Sequence, residues 1–135
     1  MIDLSVEVGG LRLSNPVMPA SGTFADGLAN TIDFNRLGAF VTKTITHEKR
    51  TGNPVPRVAE VHSGMLNAIG IPSKGSDYFI RESIPFYRKF SPPLVVSISA
   101  PSNDGFARLA AELSQVEGVA AIEANISCPN IEEDG

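Results

Sequence analysis

LVVSISAPSNDGFARLAAELSQVEGVAAIEA, residues 94–124, reads as a strand, a helix and a second strand. Residues 94–99 and 119–124 are short, β-rich apolar runs of the length expected for buried strands of a parallel sheet. Between them, Phe106, Leu109, Ala110 and Leu113 follow the i, i+3, i+4, i+7 rule, which places apolar side chains on one helical face. Ser102 or Asn103 offers an N-cap oxygen, and Gly118 closes the turn before the next strand. A strand, a crossover helix and another strand join as a right-handed parallel unit.

Two runs of the same kind lie upstream, PVMPA at 16–20 and AFVTK at 39–43. Strands alternating with crossovers imply an α/β fold with a parallel sheet. Ahead of them, IDLSVEV and LRLSN flank Gly9-Gly10, a pair suited to the positive backbone angles of a tight hairpin. The crossovers are less regular. Leu28, Ile32 and Leu37 are apolar, with Gly38 as the stop signal, and Ile80, Ile84 and Tyr87 repeat a helical spacing that Pro85 interrupts. About fifty residues separate the second and third strands, more than a helix needs. Their first half, TGNPVPRVAEVHSGMLNAIGIPSKG at 51–75, is punctuated by Gly, Asn and Pro and reads as a long functional or disordered loop.

At 135 residues and 14.3 kDa the chain is one domain or part of one. Its 42% hydrophobic and 19% charged residues are those of a folded soluble protein. Eleven Lys plus Arg against 15 Asp plus Glu give a net charge of −4, and no basic run exceeds HEKR at 47–50. That balance argues against nucleic acid, whose phosphates demand cations. The single cysteine forms neither an intrachain disulfide nor a four-thiolate cluster, so a reducing compartment is expected and any iron–sulfur centre would belong to a partner. The opening MIDLSVEVGGLRL lacks a basic leader and an apolar signal core. The apolar stretch PPLVVSISA falls short of the roughly 20 residues that span a bilayer. A cytoplasmic protein without a membrane segment or metal site is expected.

The polar residues fall at strand ends. Ala20-Ser21-Gly22 follows the first strand, Lys43-Thr44 ends the second, Ser97 and Ser99 end the third, and Asn125 ends the fourth. In parallel α/β folds, ligands bind at the carboxyl ends of the strands. Lys43 alone would read as a stem on apolar surface with its head in water, and Cys128 alone as a small buried hydrophobe. Their register with the other strand ends favours function. Pro129 biases Cys128 toward extended backbone beyond the fourth strand, where a thiol can act as nucleophile or proton acceptor. His47 and His62 lie in loop segments poorly placed to activate it. Asn67, Asn125 and Asn130 each carry donors and an acceptor, suited to a flat ring bearing C=O and N–H groups.

In order, NPVMPASGTF (15–24), VTKTIT (41–46), RTGNPVPRVAE (50–60), SGMLNAIG (63–70) and EANISCPN (123–130) resemble the N-terminal half of the class 1 dihydroorotate dehydrogenases. These are FMN-dependent (β/α)8 TIM-barrel enzymes of pyrimidine biosynthesis. The resemblance implies that residues 1–135 form barrel strands 1–4 preceded by a β-hairpin, with a C-terminal half needed to complete the barrel. It is closest to the NAD-linked type, whose catalytic subunit works with an electron-transfer subunit carrying FAD and an iron–sulfur cluster; a homo-oligomer is also expected. By motif, Ala20, Ser21, Gly22, Lys43, Thr44 and Asn125 would touch FMN. Lys43, Asn67, Ala68, Ile69, Gly70, Ile71, Asn125 and Asn130 would hold dihydroorotate or orotate, and Cys128 would be the catalytic base while hydride passes to FMN. Two positions depart from the pattern: Ile71-Pro72-Ser73-Lys74 follows NAIG in place of Leu-Gln-Asn-Pro, and Ser97 stands where the NAD-linked type usually has a flavin-contacting Asn. The alternatives are a dihydropyrimidine dehydrogenase-like barrel, which generally has His where Asn130 stands here, and a non-catalytic half-barrel that serves as an assembly module.

Overall fold

The computed structural model describes residues 2–22, 24 and 26–129. Strands β1 (Val6–Val8) and β2 (Leu11–Leu13) form an antiparallel hairpin in which Val8 pairs with Leu11. The two residues between them, Gly9 and Gly10, have φ of 56° and 83°. Both angles are positive, the condition of a two-residue turn that matches strand twist, and glycine meets it without steric cost.

Strand β3 (Phe40–Val41) pairs in parallel with β6 (Leu94–Ile98), which pairs in parallel with β7 (Val119–Ala124), giving the order β3-β6-β7. The strand expected at 16–20, the first of four, is not formed. A backbone bond from the Gly38 amide to the Val17 carbonyl ties that segment to the chain before β3. Pro16 and Pro19 lack the N–H that a ladder requires, which explains why an apolar run does not become a strand here.

The first crossover also departs from expectation. In place of a helix through Leu28, Ile32 and Leu37, two short 3-10 turns occupy Asp26–Asn30 and Phe34–Arg36, with Leu28 and Ile32 exposed. The buried residues here are Phe24 and Phe34. They pack with Phe40, Phe86, Tyr87 and Phe90, with the Phe34 and Phe40 ring centroids 5.3 Å apart. The Tyr87 hydroxyl donates to Asp26 at 2.7 Å, and burial followed by this carboxylate holds the phenol well above its ordinary pKa.

The second crossover is helical over residues 76–87, but not uniformly. A turn of α1 (Ser76–Tyr78) leads into a π-helical stretch, Phe79–Ser83, and then α2 (Ile84–Tyr87). The Ile84 amide reaches back to the Phe79 carbonyl. Pro85 would collide with the carbonyl four residues earlier in a regular helix, and widening the preceding turn removes that conflict. Phe79, Ile84 and Tyr87 all reach the core as a result.

Helix α3 (Asn103–Ser114) forms where the apolar spacing predicts it. Leu109 and Leu113 are wholly buried against the sheet, and the Ser102 side chain accepts from the Gly105 amide at 3.1 Å. Ser102→Ala is expected to cost about 1 kcal/mol, the usual worth of an N-cap. Urea denaturation followed by circular dichroism checks this; an unchanged midpoint would show that the cap contributes nothing.

The long segment between β3 and β6 is not loop throughout its first half. It contains an antiparallel hairpin, β4 (Val58–Val61) and β5 (Gly64–Asn67), both strands exposed along their full length. The hairpin's neck is braced: Arg57 donates from Nε to the Asn53 carbonyl at 2.6 Å and from Nη2 to the Thr51 carbonyl at 2.8 Å. Backbone bonds from Asn53 to Ile69 and from Ala68 to Arg57 close the same neck.

Candidate active site

The carboxyl end of β3 carries a local irregularity that shapes the site. Amides of Phe40 and Thr42 donate to the carbonyls of Pro93 and Val95, but the next donor to the Ser97 carbonyl is Ile45. Two residues of one chain thus match three of the other, so one extra residue is accommodated around Lys43-Thr44. Such a bulge breaks the alternation of faces and re-aims side chains. Its consequence is that Lys43 and Thr44, adjacent in sequence, line the same cleft.

That cleft, of about 360 Å³, is lined by Ser21, Gly22, Lys43, Thr44, Asn67, Ile69, Gly70, Ile71, Asn125 and Cys128. Every one of these was singled out in the sequence. Ala20 and Ala68 are exposed and do not line it; the Ala68 amide instead serves the hairpin neck by donating to Arg57. Asn130 lies outside the described residues. His47 and His62 are exposed and away from the cleft, with His47 against Glu112 and Ser76, 3.4 Å from each.

Lys43 is half-buried and is the one charged residue among the described lining residues. Burial lowers its pKa below the ordinary 10.5, and the nearby Cys128 sulfur, when ionised, opposes that shift. Among the described residues no carboxylate pairs with its ammonium. Taking a cation partly out of water without a counter-ion is unfavourable, so this cleft is electrostatically prepared for an anion.

Across from Lys43, the neck of the β4–β5 hairpin delivers Asn67 and the residues after it. Gly70 has φ of 76°, and a side chain there would meet Asn53, whose Oδ1 lies 2.5 Å from the Cβ position. Ile71 follows with φ of 42° while 4% exposed, an angle a β-branched residue adopts only under constraint. The chain thus turns sharply at the cleft wall and brings main chain, not bulk, to the ligand space.

Asn125 follows β7 directly. Its backbone amide donates to the Ile98 carbonyl at 2.9 Å, and its Nδ2 donates to Thr44 Oγ1 at 3.3 Å. Cys128, three residues on, is a free, half-buried thiol. Sequence reasoning did not assign two supports of this site. Ser97 contacts Thr44 from beneath, and Arg57 braces the neck that carries Asn67. The lone arginine in GNPVPR was the only sequence signal for the second.

The lining residues suit the ring portion of a flavin beside a small anionic ring: one cation, amide and hydroxyl groups, and close main chain. No second cation that could take a phosphate lines the cleft among the described residues. Nor do those residues contain a group of His, Cys, Asp and Glu able to hold a metal, or a helix long and apolar enough to cross a membrane.

Fold and cleft together define an α/β chain with a polar cleft at the carboxyl ends of its parallel strands. The family model for dihydroorotate dehydrogenase matches residues 3–135, and the chain belongs to that family. It is 46% identical over 134 residues to the catalytic subunit of dihydroorotate dehydrogenase B (NAD(+)) from Trichlorobacter lovleyi, covering 98% of this chain and 44% of the relative. The corresponding subunit of Geotalea uraniireducens is 44% identical over 135 residues, with the same coverage of 98% and 44%. The chain thus spans less than half the length of these curated relatives. Among solved structures, a dihydroorotate dehydrogenase from Eimeria tenella in complex with ferulenol shares the fold, with a TM-score of 0.67 at 23% identity, over 96% of this chain and 38% of that one.

Proposed function

We propose that this chain supplies the N-terminal half of an FMN-dependent dihydroorotate dehydrogenase barrel that oxidises dihydroorotate to orotate in pyrimidine biosynthesis. The observation that carries this reading is the gathering of the motif residues around one cleft with a half-buried ammonium that has no carboxylate partner among the described residues. Lys43 offsets the ligand's carboxylate, assisted by main-chain N–H groups of residues 67–71. Asn67 and Asn125 bind the ring amides and hold the ring in one orientation. Ser21, Gly22, Thr44 and Asn125 hold the flavin ring. FMN, when bound, supplies the acceptor for the hydride leaving one ring carbon. Cys128, as thiolate, removes the proton from the neighbouring carbon and becomes the thiol, so the ring gains its C=C bond. The remaining barrel strands would supply the phosphate site, and a partner subunit, for which the relatives' designation as catalytic subunits speaks, would take electrons onward to NAD(+).

The reading is tested by titrating orotate, then FMN, into the ¹⁵N-labelled chain. Shifts centred on the Asn67 and Asn125 side-chain amides and on residues 69–71 are expected. Shifts confined to other surfaces, or none up to millimolar orotate, would count against the site.

A further inference from the structure

We propose that Ser97 is a positioning residue that decides which end of the Asn125 carboxamide faces the cleft, and thereby makes the site selective for a ring N–H. The inference deepens the proposed function and rests on it for the ligand's identity. Ser97 is 0% exposed and does not line the cleft, so a bound ligand has no access to it. Its effect must pass through a neighbour.

The neighbour is Thr44. Ser97 Oγ lies 3.0 Å from Thr44 Oγ1, and the Ser97 amide donates to Thr42 Oγ1 at 3.3 Å, so the serine is fixed at both main chain and side chain. Thr44 Oγ1 in turn accepts from Asn125 Nδ2 at 3.3 Å. A hydroxyl has one hydrogen and two lone pairs. The proposal assigns Thr44 as the donor of this pair: with its one hydrogen directed at Ser97 Oγ, only lone pairs of the Thr44 oxygen face Asn125, and they hold the NH₂ end of the amide. The Asn125 backbone is anchored separately on Ile98, and the choice that remains at issue is the half-turn of the carboxamide that exchanges Oδ1 and Nδ2. Holding NH₂ against Thr44 turns Oδ1 away from it, toward the cleft that Asn125 lines. A carbonyl oxygen there accepts from an N–H and repels another carbonyl.

Without Ser97, the Thr44 hydroxyl is free to rotate. It then donates to Oδ1 as readily as it accepts from Nδ2, both amide orientations become populated, and the preference for an N–H is lost. Ser97 thus acts beneath the surface at a position where the NAD-linked pattern places a residue in direct flavin contact.

Two measurements test this. In the ¹⁵N-labelled chain, hydrogen exchange of the Asn125 Nδ2 protons should be slow, should accelerate at least about threefold in Ser97→Ala, and should be restored in Ser97→Thr. Thr44→Val should accelerate it equally, with no further change in the double variant, because both act through one bond network. In a chimera joining this chain to the remaining length of a full-length relative, orotate should bind better than one of its two ring N-methyl derivatives by about tenfold, the upper worth of a neutral hydrogen bond. Ser97→Ala should reduce that ratio to below about threefold while Ser97→Thr preserves it. Exchange indifferent to Ser97, or a ratio unchanged in Ser97→Ala, overturns the proposal. If the chimera binds no orotate, the functional reading fails instead, and the exchange measurement still decides whether Ser97 orients the amide.

Discussion

Cys128→Ala, introduced into the same chimera, is expected to slow flavin reduction by dihydroorotate about 10²–10⁴-fold, the usual cost of losing a general base. Orotate affinity should change by less than about threefold, because the thiol contacts a C–H that the product no longer carries and anion binding rests on Lys43. Stopped-flow bleaching of the flavin gives the rate, and equilibrium titration gives the affinity. A near-normal bleaching rate would remove Cys128 from the chemistry. A parallel collapse of orotate affinity would make it a structural part of the binding wall.

Lys43→Met separates binding from folding. The ammonium is half-buried without a carboxylate partner among the described residues, and burial lowers its pKa. Removing it should weaken orotate binding about ten- to hundredfold, as expected for a hydrogen bond to a charged group, yet raise the melting temperature of the ligand-free chain. The same residue fixes a pH dependence. Its folded pKa lies below the ordinary 10.5, so between the two values the folded chain carries fewer protons than the unfolded chain, and Lys43's contribution to stability rises with pH across that window. Orotate binding has the opposite slope: the anion needs the ammonium, so affinity falls as pH climbs through the lowered pKa. Melting curves and titrations on wild type and Lys43→Met check both slopes. An identical alkaline decline in the two proteins would place the titration elsewhere.

The unit from β6 through α3 to β7 was legible because every local signal agrees there: apolar runs, a four-residue helical spacing, a serine cap and a closing glycine. Residues 16–20 were misleading because apolarity predicts burial while two prolines withhold the ladder's donors. The β4–β5 hairpin was hidden for a different reason. Its turn, His62-Ser63, contains no glycine, and Ser63 itself takes a φ of 59°. At the site, the strand-end rule points to Lys43, Thr44 and Asn125 without any knowledge of the family. Asn67 was legible by its amide chemistry but not by its place, because no local pattern says that an exposed hairpin returns its last residue to the rim, and residues 69–71 were legible only through their resemblance to known motifs. Ser97 needed the three-dimensional register. Its hydroxyl matters through a partner 53 residues away, and the bulge beneath Lys43-Thr44 sets that pairing.

The braced neck gives the β4–β5 hairpin the mechanics of a lever. Asn67 is the last residue of β5, at the fulcrum, while His62 and Ser63 form the far tip. Arg57 and the Asn53–Ile69 and Ala68–Arg57 bonds clamp the base. A rocking displacement at the tip is therefore reduced to a small one at the cleft wall, and Asn67 keeps its aim while the outer strands swing.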